Sequence, residues 1–120
     1  MRRVLIVDDS VSMRQMVSFT LRQGGFDVIE AEHGQDGLEK LGREAVDLII
    51  TDLNMPVMDG IVFIQNVRKQ PAMRNKPILM LTTEGLAAKK EQGKAAGASG
   101  WIVKPFDPDK LLATIARVLP

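Results

Sequence analysis

The chain has no cysteine, and aromatic residues make up only 4% of its 120 positions. Without cysteine there can be neither a disulfide framework nor a thiolate metal site, a usage that fits a reducing compartment. Long apolar runs are missing too. The run that follows Met1-Arg2-Arg3 ends after four residues at Asp8 and Asp9. That is too short for the apolar region of a signal peptide, and no other stretch approaches a membrane span. Excess charge of either sign is also absent. Lys and Arg number 16 against 15 Asp and Glu, a net charge of +1, so no basic field draws nucleic acid. The expectation is a cytoplasmic protein with no nucleic-acid or membrane partner.

What is present is ordinary for a globular domain: 45% hydrophobic and 26% charged residues. The length suits one domain with its own core. Short apolar runs at Val4–Val7, Val28–Ala31, Leu48–Thr51, Ile78–Thr82 and Trp101–Val103 read as strands. Several are almost continuously apolar, as strands covered on both faces must be. Segments long enough for crossover helices lie between them. Met13, Val17 and Leu21 share one helical face, Phe63, Ile64 and Val67 a second, and Leu111, Ile115 and Leu119 a third.

The punctuation agrees with this alternation. Asp107-Pro108 is an N-cap followed by an N1 proline. Gly24-Gly25 and Gly42 are stop signals, and Asp59-Gly60 reads as a turn after the third strand. No linker, repeat or low-complexity tract interrupts the pattern. The predicted fold is α/β: one doubly wound (βα)5 domain over residues 1–120, with a five-stranded parallel sheet and right-handed crossovers.

In such a sheet, ligands bind beyond the carboxyl ends of the strands. Those ends carry Asp8-Asp9, Asp52, Thr82-Thr83 and Lys104. Two unit charges 4 Å apart repel by roughly 4 kcal/mol at an effective dielectric of 20, so stability alone does not keep three carboxylates together. A divalent cation, a lysine or raised carboxylate pKa values would relieve the repulsion. With all-oxygen ligands, Mg²⁺ is the natural guest. Carboxylates, a hydroxyl and an ammonium together describe a phosphoryl-transfer site. One carboxylate attacks phosphorus in line, while the cation and Lys104 neutralise phosphoryl oxygens.

At this point the chain resembles the receiver domain of bacterial two-component response regulators, in particular the stand-alone chemotaxis type. The likeness rests on VLIVDDS, DLNMPVMDG, MLTTEG and KPF, in that order and each at a strand end. It covers essentially the whole chain and implies the flavodoxin-like strand order 2-1-3-4-5. It also implies that Asp52 is the phospho-acceptor, forming an aspartyl phosphate. Asp8 and Asp9 would bind the metal with Asp52, and Asn54 would add its backbone carbonyl. Thr82 would follow the phosphoryl group, Lys104 would be the site lysine, and the Lys104–Pro105 bond would be cis. The implied partners are a sensor histidine kinase of the chemotaxis type, a downstream motor-switch or other protein target, and a phosphatase. The chain would act as a monomeric signalling receiver rather than as an enzyme on outside substrates. It shows no effector domain, which would make it either a free regulator or an excised receiver.

One departure concerns Trp101. The family carries tyrosine or phenylalanine there, a ring that turns inward as the threonine moves to the phosphoryl group. An indole is larger and lacks the phenol, so a hydrogen bond through that hydroxyl is not available. Thr82 and Trp101 are nonetheless the switch pair that the resemblance implies. The segment between them, GLAAKKEQGKAAGAS, is a poor helix with few large side chains and an internal Gly93. It is expected to be weakly anchored and to shift on phosphorylation over Glu84–Ala98, with Lys89, Lys90 and Lys94 making its face positive.

Other readings fit less well. An aspartate-nucleophile phosphatase places D-x-D after the first strand and adds a cap domain, whereas here the acceptor follows the third strand. A flavodoxin needs a Ser/Thr-rich phosphate loop where this chain has DDSVSM. His33, in AEHGQDG, reads as a loop or capping residue away from the acidic edge. The seven methionines read mostly as packing at helical spacing, with Met55 and Met58 in the loop beside Asp52.

Overall fold

Each apolar run becomes a strand, and each strand is followed by a helix. The computed structural model describes residues 2–82, 87–104 and 106–119. The expectations for Thr83, Glu84 and the isomer of the Lys104–Pro105 bond lie outside them. The elements run β1 (Arg3–Val7), α1 (Val11–Gln23), β2 (Asp27–Ala31), α2 (Gly34–Leu41), β3 (Leu48–Asp52) and α3 (Gly60–Arg68). A short 3₁₀ turn (Pro71–Met73) then leads to β4 (Ile78–Thr82), α4 (Ala87–Ala96), β5 (Gly100–Val103) and α5 (Pro108–Val118). All pairings are parallel, and the sheet order is β2-β1-β3-β4-β5, as the resemblance implies.

The continuous apolar runs are explained by two cores, one on each face of the sheet. Val4 and Ile6 of β1, Leu48 and Ile50 of β3, and Leu79 and Leu81 of β4 pack with Val17 and Leu21 of α1 and Leu111 and Ile115 of α5. The alternate residues Leu5, Val7, Ile49, Ile78 and Met80 pack with Phe63, Ile64 and Val67 of α3. Burying one such aliphatic side chain contributes roughly 1.5–3 kcal/mol. A one-residue slip of any central strand would exchange the two sets and lose both cores.

Helix starts are set by local capping. Ser10 Oγ accepts from Met13 N–H at the start of α1, and Asp107 accepts from Asp109 N–H at the start of α5. His33 caps α2, where its Nδ1 accepts from Asp36 N–H at 3.2 Å. It does not lie away from the acidic edge. β2 ends on that same edge, where the Ala31 carbonyl accepts from Asp8 N–H at 3.1 Å. Asp59-Gly60 is not a free turn either: Asp59 is the N-cap of α3, accepting from Val62 N–H at 2.9 Å. Gly24 and Gly42 are the C-caps of α1 and α2. α5 ends at Val118, so Leu119 reaches its core from an extended C-cap.

Of the methionines among the described residues, only Met13 follows helical core spacing, packing beside Val17 and Leu21. Met73 and Met80 are buried from the 3₁₀ turn and β4, Met55 from a loop, while Met16 of α1 is exposed. Gly93 also has a different role from the one expected. α4 runs through it without a break, and a Cβ there would stand 1.9 Å from Met80 Sδ. Glycine lets this helix approach the sheet closely, which few helix formers would allow. No residue of α4 with a described side chain is fully buried except Gly93, so its apolar anchoring is slight, as expected. Its C-terminal end is held instead by Arg68, whose Nε and Nη2 donate to the Gly97 carbonyl at 3.0 and 2.7 Å. The same guanidinium donates to the carbonyls of Met73 and Lys76, both at 2.6 Å.

One close approach sets the site itself. A Cβ on Gly60 would stand 2.3 Å from the Asp52 carbonyl oxygen and 2.7 Å from Leu53 Cα. Both are backbone atoms, which cannot swing aside. Gly60→Ala is therefore expected to lower stability by at least about 2 kcal/mol in denaturant unfolding, where Gly42→Ala on the surface changes it by well under that.

Candidate functional site

Register brings the charged strand ends to one level. Val7 lies opposite Thr51 and Asp52 opposite Leu81, so Asp8 and Asp52 are side by side across the β1–β3 switch point. Thr82 pairs with Val103, which places Lys104 just beyond the same edge. Strand alternation then assigns sides. Asp52 continues the row of Leu48 and Ile50 on the α1/α5 face, and Asp8 continues Val4 and Ile6. Thr82 continues the row of Ile78 and Met80 on the other face, where Trp101 is Met80's register partner.

Oxygens from Asp8, Asp9 and Asp52 all lie within 4.8 Å of one another. Asp8 is fully buried, Asp52 nearly so, and Asp9 is exposed. Lys104 Nζ stands 3.3 Å from Asp52 Oδ1 and 3.6 Å from Asp8 Oδ2. Asp52 Oδ1 also accepts from Leu53 N–H at 2.9 Å, and Asp8 Oδ1 accepts from Ser10 N–H at 2.9 Å. Asp8 Oδ2 is buried without a hydrogen-bond partner. A buried carboxylate oxygen left open beside two others suits a hard divalent cation, whose ligands are oxygens. Burial, and then the neighbouring Asp52 charge, push the Asp8 carboxyl above its ordinary value against the hydrogen bond from Ser10 and the charge of Lys104.

Thr82 is also buried, and its Oγ1 has no hydrogen-bond partner. Its carbonyl accepts from Lys104 N–H at 2.6 Å, tying the end of β4 to the residue after β5. Trp101 is 42% exposed, with Lys90 Nζ 4.6 Å from its ring centroid. Asn54 is exposed in the β3–α3 loop. In that loop Val57 has φ 71°, and Met58 N–H donates to the Pro56 carbonyl at 2.7 Å, the geometry of a γ-turn. A β-branched residue in that region costs on the order of 1–3 kcal/mol. Met55 is buried, and Met58 packs over Gly34, where an added Cβ would stand 2.9 Å from its Sδ.

The structure thus brings together Asp8, Asp9, Asp52 and Lys104, and it sets Thr82 and Trp101 on the opposite face. Residues 4–116 match the model of the response regulator receiver domain. The chain belongs to the response regulator receiver family. It is 42% identical over 119 residues to chemotaxis protein CheY1 of Helicobacter pylori, covering 98% of this chain and 96% of that protein. It is 37% identical to the phosphate regulon transcriptional regulatory protein PhoB of Escherichia coli, covering 98% of this receiver but only 52% of PhoB. The solved structure of chemotaxis response regulator CheY4 of Vibrio cholerae superposes with a TM-score of 0.95 at 53% identity, covering 99% of both chains.

Sequence reasoning missed Arg14. This residue is only 11% exposed, donates to the Asp8 carbonyl at 2.6 Å and pairs with Glu30 Oε1 at 3.1 Å. The signal was there: Arg14 falls on the buried stripe of α1 that continues through Val17, Ser18 and Leu21.

The raised Asp8 value means that the folded receiver holds this proton more tightly than the unfolded chain does. The resulting stabilisation is full below the ordinary carboxylate value of 3.8 and is lost as pH rises through the folded value. Without metal, Asp8→Asn is therefore expected to stabilise the protein at neutral pH. Denaturant unfolding from about pH 4 to about pH 7 should show that advantage growing with pH. A constant or shrinking gap contradicts the account.

Proposed function

We propose that this receiver, spanning residues 1–120, accepts a phosphoryl group on Asp52 from a histidine kinase and passes that event to a protein partner in a chemotaxis pathway. The observation that carries the reading is the clustering of the Asp8, Asp9 and Asp52 oxygens within 4.8 Å of one another, with Lys104 paired to two of them. Asp8, Asp9 and Asp52 would hold Mg²⁺, with the backbone carbonyl of Asn54 as a further ligand. The ion would neutralise phosphoryl oxygens and lower the repulsion between nucleophile and phosphate.

The chain's own residues do the rest. An Asp52 carboxylate oxygen forms the O–P bond as the P–N bond to the kinase histidine breaks, and the electron pair and a proton go to the imidazole. Lys104, already directed at Asp52, meets the incoming negative charge. Thr82 has a buried hydroxyl with no present partner, and a phosphoryl oxygen would give that hydroxyl an acceptor. Thr82 shares the α4 face of the sheet with Trp101, so its movement frees space toward which the indole can turn. Leaving the surface would strip Trp101 of its contact with Lys90 and remodel the face made by α4, β5 and α5. That face is the proposed binding surface for a motor-switch or similar target. Hydrolysis, aided by a phosphatase, would reverse it.

The whole cycle suits a cytoplasmic monomer that works neither on nucleic acid nor at a membrane. No helix among the described residues is long and apolar enough to cross one.

Incubation with a small phosphodonor and Mg²⁺ should give one phosphoryl adduct by intact mass. Asp52→Asn should give none, and omission of Mg²⁺ should lower the yield at least about tenfold. An unmodified wild type would falsify the acceptor role. Amide exchange, measured with and without a stable phosphoryl mimic, should change across residues 87–104. Trp101→Ala should keep the adduct but lose most of that change. Equal protection in both states removes the proposed switch.

A further inference from the structure

Asp8 is held from every side but one. Its N–H donates to the Ala31 carbonyl at 3.1 Å, and its Oδ1 accepts from Ser10 N–H at 2.9 Å. Its carbonyl accepts from Arg14 Nη1 at 2.6 Å. The only unpartnered atom of this residue is Oδ2, which faces Lys104 at 3.6 Å. The orientation of the metal-facing oxygen is thus the result of three hydrogen bonds, two of them to the Asp8 peptide.

Of these three, the bond from Arg14 is the one made by a side chain, and it has support of its own. The guanidinium uses its Nε for Glu30 Oε1 at 3.1 Å while Nη1 reaches Asp8. Glu30 is in turn fixed by Arg22 Nη2 at 3.8 Å, and its carbonyl accepts from Lys40 Nζ. Glu30 is paired with Ile6 in the β1–β2 ladder, two residues before Asp8. Arg14 therefore braces the turn after β1 against β2 by a bridge from helix α1. The Arg14 Nη1 contact is to the Asp8 carbonyl, so it holds the residue by its backbone.

We propose that Arg14, bridging the Asp8 carbonyl to Glu30, is a positioning residue for the Asp8–Asp9 acidic pair and sets its affinity for a divalent cation. This rests on the reading that the pocket binds Mg²⁺. Residues that orient metal ligands without touching the metal commonly change affinity by about 10–100-fold when replaced. The geometry also dictates which replacements succeed. A lysine carries the charge but lacks the rigid guanidinium fork, in which Nε and Nη1 are separate atoms that meet Glu30 and the Asp8 carbonyl at once. A glutamine at position 30 loses the charge but keeps an acceptor for Arg14 Nε.

Magnesium chloride titration by calorimetry, with the Mg²⁺-induced rise in unfolding temperature as a second readout, tests this on the full chain. Each variant is referred to its own metal-free state, so a general loss of stability does not imitate the effect. Arg14→Met and Glu30→Ala should bind Mg²⁺ at least about tenfold more weakly than wild type. Arg14→Lys should be as weak as Arg14→Met, and Glu30→Gln should stay close to wild type. Wild-type affinity in Arg14→Met, or full rescue by Arg14→Lys, overturns the proposal. If Arg14→Met does not fold, Glu30→Ala decides. If neither folds, the bridge serves folding and the proposal is overturned. A wild type that takes up no Mg²⁺ is a different result: it removes the metal reading itself, and this inference falls with it.

Discussion

The repulsion among Asp8, Asp9 and Asp52 governs how the carboxyl edge of this sheet is built. Two of the three are withdrawn from water into a lower dielectric, in which like charges repel more strongly. Lys104 offsets part of that repulsion by pairing with both buried carboxylates. The remainder is resisted by fixed backbone: the β1–β3 register, the seating of α3 on the Asp52 carbonyl through Gly60, and the bridge from Arg14 to Glu30. Repulsion of this kind would be relieved by a divalent cation or by a proton. The Asp8 carboxyl is raised first by its burial and then by the neighbouring Asp52 charge.

The sheet places the acidic cluster and the proposed switch residues on different faces. Asp8 and Asp52 continue strand rows on the α1/α5 face, whereas Thr82 and Trp101 belong to the face covered by α4. Thr82, whose hydroxyl is buried without a hydrogen-bond partner, stands at the end of the strand between β3 and β5. α4 itself is held unequally. Its C-terminal end is tied by Arg68 at Gly97, while its body rests on the close approach of Gly93 to Met80 and contributes little apolar burial. A helix fixed at one end and loosely packed along its length can tilt at low energetic cost.

Much of this was legible before any coordinates. The five strands were found within one residue at each end, because near-continuous apolar runs bounded by Gly, Asp and Pro leave few alternatives. The candidate residues Asp8, Asp9, Asp52, Thr82 and Lys104 follow from the rule that parallel strands deliver their ligands at their carboxyl ends. Less legible were residues whose importance lies in a distant partner. His33 reads as remote from the acidic edge because its local pattern says nothing of where β2 ends relative to β1. Gly93 read as a helix weakener because the sequence does not say what the helix lies against. The methionines read mostly as helical packing, yet Met55, Met73 and Met80 are buried from a loop, a 3₁₀ turn and a strand.

The sequence by itself determined the alternation of strands and helices, the helix caps, and the set of acidic, hydroxyl and ammonium groups that share one edge. Those features depend on side-chain period and on hydrogen bonds a few residues apart, both written along the chain. Only the tertiary structure decided that Asp8 Oδ2 is left open, that Thr82 and Asp52 lie on opposite faces, and that Arg14 braces Asp8 against Glu30. These depend on how far one element stands from another, and distances between elements are set by packing rather than by periodicity.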